Sequence, residues 1–227
     1  MLYSKDRISS KSVNGTEKFK YSYDASGNLG ILEDIINGVN YRYIYDAAGE
    51  KGKNVLTTTA STKILYDLGI KKDAGTMGAW FNTKGGTTSR YILASEGNGA
   101  LLSLYLDSSN KLNLAVRDSA GGWLTLITST ETVTVNTWNY GAFTWSLSGT
   151  TLNAKLYLND KVYSGSTASF KDFTGVKTAV GGTISGTYQL NGQLEGLSSY
   201  NTALTSEEVN VIYTNGRGNW VSYKQSS

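Results

Sequence analysis

The chain contains no cysteine and no histidine among its 227 residues. Without cysteine there is no disulfide and no thiol nucleophile, and without histidine there is no imidazole base and no Ser-His-Asp triad. Zinc sites built from these two residue types are excluded for the same reason. A metal bound by this chain alone must therefore be a hard cation held by carboxylate and carbonyl oxygens, and this donor set favours calcium over zinc or copper.

The charge pattern excludes further classes of partner. The formal net charge is +3, and the basic residues are scattered along the chain, so a nucleic-acid partner is not expected. No apolar run is long enough to span a bilayer as a helix, and the first ten residues lack an apolar signal core, so the sequence predicts no membrane insertion. The lack of cysteine fits a reducing cytosol and a surface protein equally well.

The residue types that are abundant favour strands and turns, since the chain has 16 tyrosines and 26 glycines. The clearest strand pattern lies between residues 136 and 165. Apolar side chains there occupy every second position on both sides of a Ser-Gly-Thr turn, which is typical of strands with one buried face. This pattern predicts an antiparallel meander and an all-β fold. Its apolar positions are Phe143, Trp145, Leu147, Leu152, Ala154, Leu156 and Leu158.

Short strands recur from residue 63 onward, and no helical spacing separates them. This order predicts a sandwich or barrel instead of βαβ units. One helix is predicted near the end, where Thr205 and Glu208 have the spacing of a capping box. An apolar stripe follows, and Asn215-Gly216 ends the helix, which we expect to span residues 206–214.

Three segments resemble a laminin-G-like, concanavalin A-like jelly roll. They are GAWF at residues 78–81, NTWNYGAFTW at 136–145 and ALTSEE at 203–208. The chain departs from the family pattern at Trp138-Asn139, at Asn159-Asp160 and at residues 193–195, and these departures affect only sites that use the usual acidic residue. The resemblance implies an antiparallel β-sandwich with one short C-terminal helix.

An internal repeat precedes these segments. YSYDASGN at residues 21–28 is matched by YIYDAAGE at residues 43–50, and each unit places a Tyr-x-Tyr strand end before an Asp and a Gly that suit a tight turn. Both units resemble the tyrosine-aspartate (YD) repeats of the RHS family, in which many β-hairpins stack into a shell. The alternative is two unrelated hairpins that share a turn motif. We expect YD-repeat hairpins and a linker over residues 1–62 and the sandwich over residues 63–227.

The RHS resemblance also implies a context. Family members are secreted or cell-surface proteins of bacteria, such as toxins and wall-associated proteins, so we expect this chain to be part of a longer bacterial protein. The flanking RHS repeats of that protein are then its first partners.

Some concanavalin A-like relatives are glucanases, which need two nearby carboxylates on one strand. The Glu-x-Asp-x-x-Glu pattern that would supply them is absent. Glu131 and Glu195 have no acidic residue two positions away, and Glu207-Glu208 belong to a helix start, where acidic residues complement the helix dipole. The prediction is that the chain is not an enzyme. A glycoside hydrolase using Glu195 is the weakest alternative.

Calcium is the one cofactor that the resemblance allows, at the rim of the sandwich. Asp107, Asn110 and Asp118 flank one hairpin, and Asp67 and Asp73 flank another. Because Asp and Asn also occupy turns for backbone reasons, each is interpreted first as a turn residue, and no ligand set is assigned.

Sugar binding requires aromatic rings beside polar groups that bind hydroxyls. Trp80, Trp138 and Trp145 are predicted to lie in the core. Trp123 instead follows a flexible polar loop, and two tyrosines also begin strands next to loops. The predicted ligand-binding residues are Tyr91, Trp123 and Tyr188, with Arg90 and Asp118 as polar partners.

The sequence therefore favours a non-catalytic recognition module, lectin-like and carbohydrate-binding, whose ligand is a glycan or a surface protein. The alternative is a structural or protein-interaction module within an RHS shell that has no glycan ligand.

Overall fold

The computed structural model describes residues 2–4, 7–13, 16–23, 29–34, 39–42, 56–58, 64–215 and 217. Within this part of the chain there are seventeen strands and one helix. The chain divides into two compact units, one made of Met1–Asn54 with Val221–Ser227 and one covering Val55–Trp220. No described helix has the length and apolar character that crossing a membrane requires.

The first unit contains a five-stranded antiparallel sheet. Its strands, in spatial order, are β1 (Leu2–Ser4), β2 (Arg7–Val13), β3 (Thr16–Tyr23), β4 (Leu29–Asp34) and β5 (Val39–Arg42). Tyr23, the second tyrosine of the first repeat unit, ends β3 and is aligned with Leu29 of β4. This strand pair agrees with the predicted hairpin. The second repeat unit, residues 43–50, lies outside the described residues, and the RHS resemblance stays a prediction.

The second unit is a jelly-roll sandwich of two six-stranded antiparallel sheets, which confirms the predicted fold class. Its elements are β6 (Leu56–Thr58), β7 (Ile64–Asp67), β8 (Ala74–Thr83), β9 (Arg90–Gly97), β10 (Ala100–Leu106), β11 (Lys111–Arg117), β12 (Trp123–Thr132), β13 (Trp138–Ser148), β14 (Thr151–Leu158), β15 (Lys161–Thr167), β16 (Lys177–Val180), β17 (Gly192–Tyr200) and α1 (Ser206–Thr214). Sheet 1 has the order β15-β14-β13-β8-β17-β6, and sheet 2 has the order β12-β11-β10-β9-β16-β7.

The sandwich includes a strand that the sequence assigned to the linker. β6 precedes the predicted boundary between residues 62 and 63, yet it pairs with β17 at the edge of sheet 1, with Leu56 aligned with Leu194. Three residues are too few to display a period of two. Only the partner strand identifies this segment as part of the sandwich.

The core lies between the two sheets, and the predicted meander supplies much of it. Phe143 of β13 is aligned with Leu156 of β14, and both are fully buried. Trp145 is buried as predicted, and its indole N–H donates to the Lys71 carbonyl at 2.9 Å, so its polar atom is satisfied. Each such side chain stabilises the fold by about 2 kcal/mol. Sheet 2 contributes Leu93, Leu102, Leu104, Leu106, Leu112 and Leu114 to the same core.

Trp80 and Trp138 do not lie in the core, so this prediction is wrong. In β8 the inward positions are Ala79 and Phe81, and Trp80 between them points to the outer face of sheet 1. Trp138 is likewise in the opposite phase from Phe143, and both tryptophans are only partly buried. The segment GAWF carries consecutive apolar residues. Because successive side chains of a strand point to opposite faces, only every second one of them can face the core.

The predicted helix is confirmed as α1. The Glu208 N–H donates to Thr205 Oγ1 at 3.2 Å, and the Thr205 N–H donates to Glu208 Oε2 at 2.7 Å, which completes the capping box. Tyr213 of α1 stacks on Trp80 with ring centroids 5.6 Å apart. α1 therefore packs on the outer face of sheet 1.

Candidate functional site

Four aromatic rings meet on the outer face of sheet 2. Tyr91 is the second residue of β9, Tyr105 lies near the end of β10, Trp123 begins β12, and Tyr188 lies between β16 and β17. Ring centroids are 5.4 Å apart for Tyr91 and Tyr105, 5.5 Å for Tyr105 and Trp123, and 5.9 Å for Tyr91 and Tyr188. These four residues are called the aromatic cluster below.

The alternation of each strand places these rings outside the core. Tyr105 stands between Leu104 and Leu106, which face the other sheet, so the tyrosine ring must project outward. Tyr91 is aligned with Tyr105 across the antiparallel pair, and cross-strand neighbours on one face are close enough for their rings to stack.

Small side chains beneath the two tyrosines let the rings lie against the sheet. Ala94, Ala115 and Ala179 pack with Tyr91 and Tyr105 in one apolar group. All five are buried, although they lie on an outer face. The two tyrosines therefore form the packed base of the aromatic cluster.

Trp123 and Tyr188 are the accessible members of the cluster. Their relative exposures are 42% and 55%, compared with 7% for Tyr91. Both contact the Tyr91 ring, Trp123 edge-on at 6.4 Å between centroids. Exposed aromatic surface on a rigid apolar base is typical of a binding site.

Hydrogen bonds and a cation fix the Trp123 ring. Its indole N–H donates to Thr125 Oγ1 at 3.0 Å, and the same hydroxyl is 3.1 Å from the Tyr105 hydroxyl. Arg117, aligned with Trp123 across β11 and β12, places its guanidinium carbon 5.5 Å from the centre of the indole. This is the geometry of a cation–π contact.

Tyr188 is presented by a loop that is anchored to β9. Its backbone is in the left-handed region, with a φ of 53°, which costs a residue other than glycine about 1 kcal/mol. The Tyr188 carbonyl accepts the Tyr91 N–H at 2.9 Å, and the Ile184 N–H donates to Glu96 Oε2 at 3.2 Å. Strained backbone held in this way is often found at functional sites.

Burial changes the ionisation of two groups at the cluster. Burial raises the pKa of Tyr91, with the nearby Tyr105 and Glu96 acting in the same direction, so the Tyr91 hydroxyl stays protonated near neutral pH. Burial also raises the pKa of Glu96, while the Ile184 N–H and the Arg117 charge oppose this shift. The aromatic cluster thus contains the neutral hydroxyl of Tyr91 and has the carboxyl group of Glu96 and the guanidinium of Arg117 beside it.

Of the five predicted site residues, Tyr91, Trp123 and Tyr188 come together in the aromatic cluster. The other two, Arg90 and Asp118, form hydrogen bonds with turns. Arg90 is buried, which lowers its pKa. Its Nη2 donates to the Asp107 carbonyl at 2.9 Å and to Asn110 Oδ1 at 2.8 Å. Asp118 Oδ1 accepts the Gly122 N–H at 2.7 Å. Their predicted role as polar partners of a ligand is not tested by these contacts.

Sequence reasoning missed Tyr105, Arg117 and Glu96. A signal was present for the first two, because Tyr105 and Arg117 occupy the phase opposite to Leu104 and Val116. An aromatic or charged residue on the outward phase of a core strand is a candidate for binding. Nothing near Glu96 in the sequence indicates that its carboxylate accepts a bond from a residue 88 positions away.

The acidic residues considered for calcium serve turns in the described part of the chain. Asp107 Oδ1 accepts the N–H groups of Ser109 and Lys111 at 2.8 and 2.9 Å, and Asp67 Oδ1 accepts the Gly69 N–H. The described residues contain no group of three or more acidic side chains that could hold a metal ion.

Glu195 is engaged in an ion pair. Its carboxylate is buried, and Oε2 accepts a hydrogen bond from Arg217 Nε at 2.8 Å. The Arg217 guanidinium carbon also lies 3.8 Å from the centre of the Trp138 ring. This arrangement stabilises the outer face of sheet 1, where Glu195 is aligned with Trp80.

Known proteins share this fold at low sequence identity. A carbohydrate-binding module, the CBM40 of a Ruminococcus gnavus sialidase bound to α2,3-sialyllactose, has a TM-score of 0.52 and 19% identity over 70% of this chain and 98% of that chain. Domain 4 of AbnA, an extracellular arabinanase from Geobacillus stearothermophilus, in complex with arabinotriose, has a TM-score of 0.52 and 16% identity over 86% and 81%. The receptor-binding domain of botulinum neurotoxin mosaic serotype C/D has a TM-score of 0.58 and 14% identity over 90% and 52%.

No curated protein matches the chain. A family model does match, and it covers residues 51–210, which include β6 and every later strand of the sandwich. The chain belongs to the concanavalin A-like lectin/glucanases superfamily.

Proposed function

We propose that this chain is a non-catalytic, lectin-like module that binds carbohydrate at the aromatic cluster. The observation that carries the proposal is the exposure of Trp123 and Tyr188 on either side of the buried Tyr91. Aromatic rings cover the apolar face of a sugar, and fixed rings bind it with little loss of conformational entropy. The glycan complexes of the Ruminococcus gnavus and Geobacillus stearothermophilus domains support the proposal.

Polar groups around the rings supply hydrogen bonds to sugar hydroxyls. Arg117 offers donors and Glu96 offers an acceptor, while the Tyr91 hydroxyl can serve as either. Arg90 and Asp118 act indirectly in this scheme, because Arg90 holds the β10–β11 turn and Asp118 holds the β11–β12 turn. A few polar groups at the edge of an apolar surface are typical of sugar and small-ligand sites.

The absence of catalysis is part of the proposal. Hydrolysis of a glycosidic bond requires an acid and a second carboxylate at a defined separation. Glu195, the one catalytic candidate from the sequence, is held by Arg217 on the opposite sheet from the aromatic cluster. Bound oligosaccharide should therefore be recovered intact.

We also infer the wider context from the repeat at residues 21–28 and 43–50. The segment at residues 21–28 would be a YD repeat of a larger bacterial RHS protein. That protein would be secreted or at the cell surface, and its flanking repeats would be the partners of this chain. The site uses no cofactor, and calcium is the only cation that the sequence allows at the rim. A melting measurement with added calcium and with chelator tests this, since an ion that binds only the folded state must raise the melting temperature.

A glycan array tests the proposed function. The full chain is applied to bacterial-wall, host and plant polysaccharides, alongside the double variant Trp123→Ala/Tyr188→Ala and the control Val162→Ala. Val162 is an exposed apolar residue of β15 in sheet 1, so its truncation removes exposed apolar surface without touching the site. Wild type and control should bind, and the double variant should not. If the wild-type chain binds no glycan class, the proposal fails, and a protein-interaction module takes its place.

A further inference from the structure

A basic corner adjoins the aromatic cluster, formed by Arg117 and Lys171. The guanidinium of Arg117 lies over Trp123. The backbone N–H of Lys171 donates to the Arg117 carbonyl at 2.9 Å, so the segment before β16 runs beside the end of β11. Two cationic residues that are distant in sequence are thereby brought to the same end of sheet 2.

Two glycines make room for the lysine. A Cβ atom on Gly99, in the β9–β10 turn, or on Gly121, in the β11–β12 turn, would lie 3.3 Å from Lys171 Nζ. The ammonium therefore sits in a notch between these turns, next to the loop from which Trp123 emerges. Both glycines have positive φ, at 74° and 90°, which suits the tight turns that form the notch.

Hydrogen bonds hold the lysine segment against the Trp123 loop. The Ser119 N–H donates to Ser169 Oγ at 3.2 Å, and the two serine hydroxyls are 2.9 Å apart. Together with the bond from Lys171 to Arg117, these contacts fix the backbone on both sides of the corner. A site fixed before binding loses less entropy when the ligand arrives.

Neither cation forms a salt bridge with a described residue, although Arg117 lies over Trp123 and its charge acts on Glu96. Lys72 and Lys161, by contrast, form salt bridges with Asp172 and Asp160. Among the described residues, neither Arg117 nor Lys171 has a carboxylate within salt-bridge distance or a side-chain hydrogen bond. A guanidinium and an ammonium beside an exposed aromatic ring are thus free to meet an external anion.

The nearby acidic side chains are directed to backbone groups. Glu96 accepts the Ile184 N–H, and Asp118 accepts the Gly122 N–H. One oxygen of each carboxylate is therefore bound to a loop of the protein.

We propose that the ligand is an acidic glycan, whose carboxylate binds between Arg117 and Lys171 while one of its sugar rings stacks on Trp123. The inference rests on the proposed function and specifies its ligand class. The planar fork of arginine matches the two oxygens of a carboxylate, and the lysine adds a point charge. A neutral sugar would use the ring but would leave both cations unpaired.

The test compares acidic glycans with their neutral counterparts. The full chain is titrated calorimetrically with oligomers of galacturonate, of hyaluronan and of polysialic acid, and with the same oligomers after carboxyl reduction. At least one acidic form should bind at least tenfold more tightly than its reduced form, since a charged hydrogen bond is worth about 1.5–3 kcal/mol. Its affinity should also fall as salt is raised.

Two variants test whether Arg117 and Lys171 bind the carboxylate, and a third variant, which removes the same charge elsewhere, is the control. Lys171→Gln should weaken binding of the acidic form about tenfold and leave the reduced form unchanged, whereas Arg117→Gln should weaken the acidic form about tenfold and the reduced form by less, because Arg117 also contacts Trp123. Lys161→Gln removes the same charge from the start of β15 in sheet 1 and should change neither. If Arg117→Gln lowers the melting temperature, the binding measurements on Lys171→Gln alone test the acidic ligand.

The outcomes separate this inference from the function on which it rests. Equal binding of acidic and reduced oligomers, or acidic binding that Lys171→Gln leaves intact, would overturn the acidic ligand and leave carbohydrate binding in place. If no glycan of any charge binds the wild-type chain, the proposed function itself fails, and the acidic ligand falls with it.

Discussion

The rings of Tyr91 and Tyr105 stack across β9 and β10, with centroids 5.4 Å apart and an angle of 25° between their planes. Both rings are almost completely buried, whereas Trp123 and Tyr188 beside them stay exposed. The aromatic cluster therefore has a packed half that supports the sheet and an open half that is free for a ligand. Substitutions in the two halves should separate stability from binding.

Trp123→Ala and Tyr188→Ala should each reduce glycan binding more than tenfold and lower the free energy of unfolding by only about 1 kcal/mol, the value of one aromatic contact. Calorimetric titration and urea unfolding measure the two effects. Val162→Ala serves as the control for loss of an exposed apolar group. Unchanged glycan affinity in both aromatic variants would place the site elsewhere.

Tyr105→Ala should lower the free energy of unfolding by about 3 kcal/mol, because it opens a cavity under Trp123 and against Tyr91. Tyr105→Phe keeps the ring and loses only the hydroxyl contact with Thr125, so its cost should be about 1 kcal/mol. Urea unfolding of both variants checks the difference. Equal costs would mean that the hydroxyl, not the ring, supports this face of sheet 2.

Arg217→Ala should lower the free energy of unfolding by about 2 kcal/mol, because it leaves the buried carboxylate of Glu195 without its partner. We expect less than for a fully buried pair, since 38% of the Arg217 side chain is exposed. Glu195→Gln retains an acceptor oxygen for Arg217 and should cost less. A double-mutant cycle over the two positions measures the coupling, and a coupling near zero would show that the ion pair contributes nothing.

The stability of the sandwich should depend on pH through Asp172. The hydrogen bond from Lys72 lowers the pKa of Asp172 from its ordinary value of 3.8 to about 2. A carboxyl with a lower pKa in the folded state stabilises the fold above the unfolded value, and this contribution is lost as pH falls through the folded value. Because the pair is half exposed, its contribution should be only about 0.5 kcal/mol.

Asp172→Asn should accordingly flatten the fall in stability between about pH 4 and pH 2, as followed by urea unfolding at several pH values. Lys72→Gln should flatten it only in part, because hydrogen bonds from Thr174 also lower the pKa of Asp172. A double variant whose pH dependence differs from that of Asp172→Asn would contradict this account.

Local patterns in the sequence predicted most of the second unit. The alternation of Phe143 and Trp145 identified β13, and the spacing of Thr205 and Glu208 identified α1, because both patterns depend on neighbours along the chain. β6 escaped prediction, since three residues carry no period and its pairing with β17 is long-range. The placement of Trp80 failed because a run of apolar residues offers two phases, and only the packing selects one.

The candidate site was predicted in part. Tyr91, Trp123 and Tyr188 were selected individually as aromatic residues at strand starts, and the structure brings them together. Tyr105 and Arg117 completed the site only once β10 and β11 were seen to lie between β9 and β12. Arg90 and Asp118 were selected for their position in loops, and in the structure their hydrogen bonds go to the loops themselves.

The sequence by itself determined the strand content, the C-terminal helix and the chemistry that is excluded, since these depend on composition and on periods within a few residues. Only the tertiary structure decided which strands are neighbours and which aromatic rings lie together on the same outer face. Four rings from β9, β10, β12 and the loop before β17 meet because sheet 2 is assembled from distant segments. No pattern within a single strand can specify that pairing, because it is set by the burial of one common core.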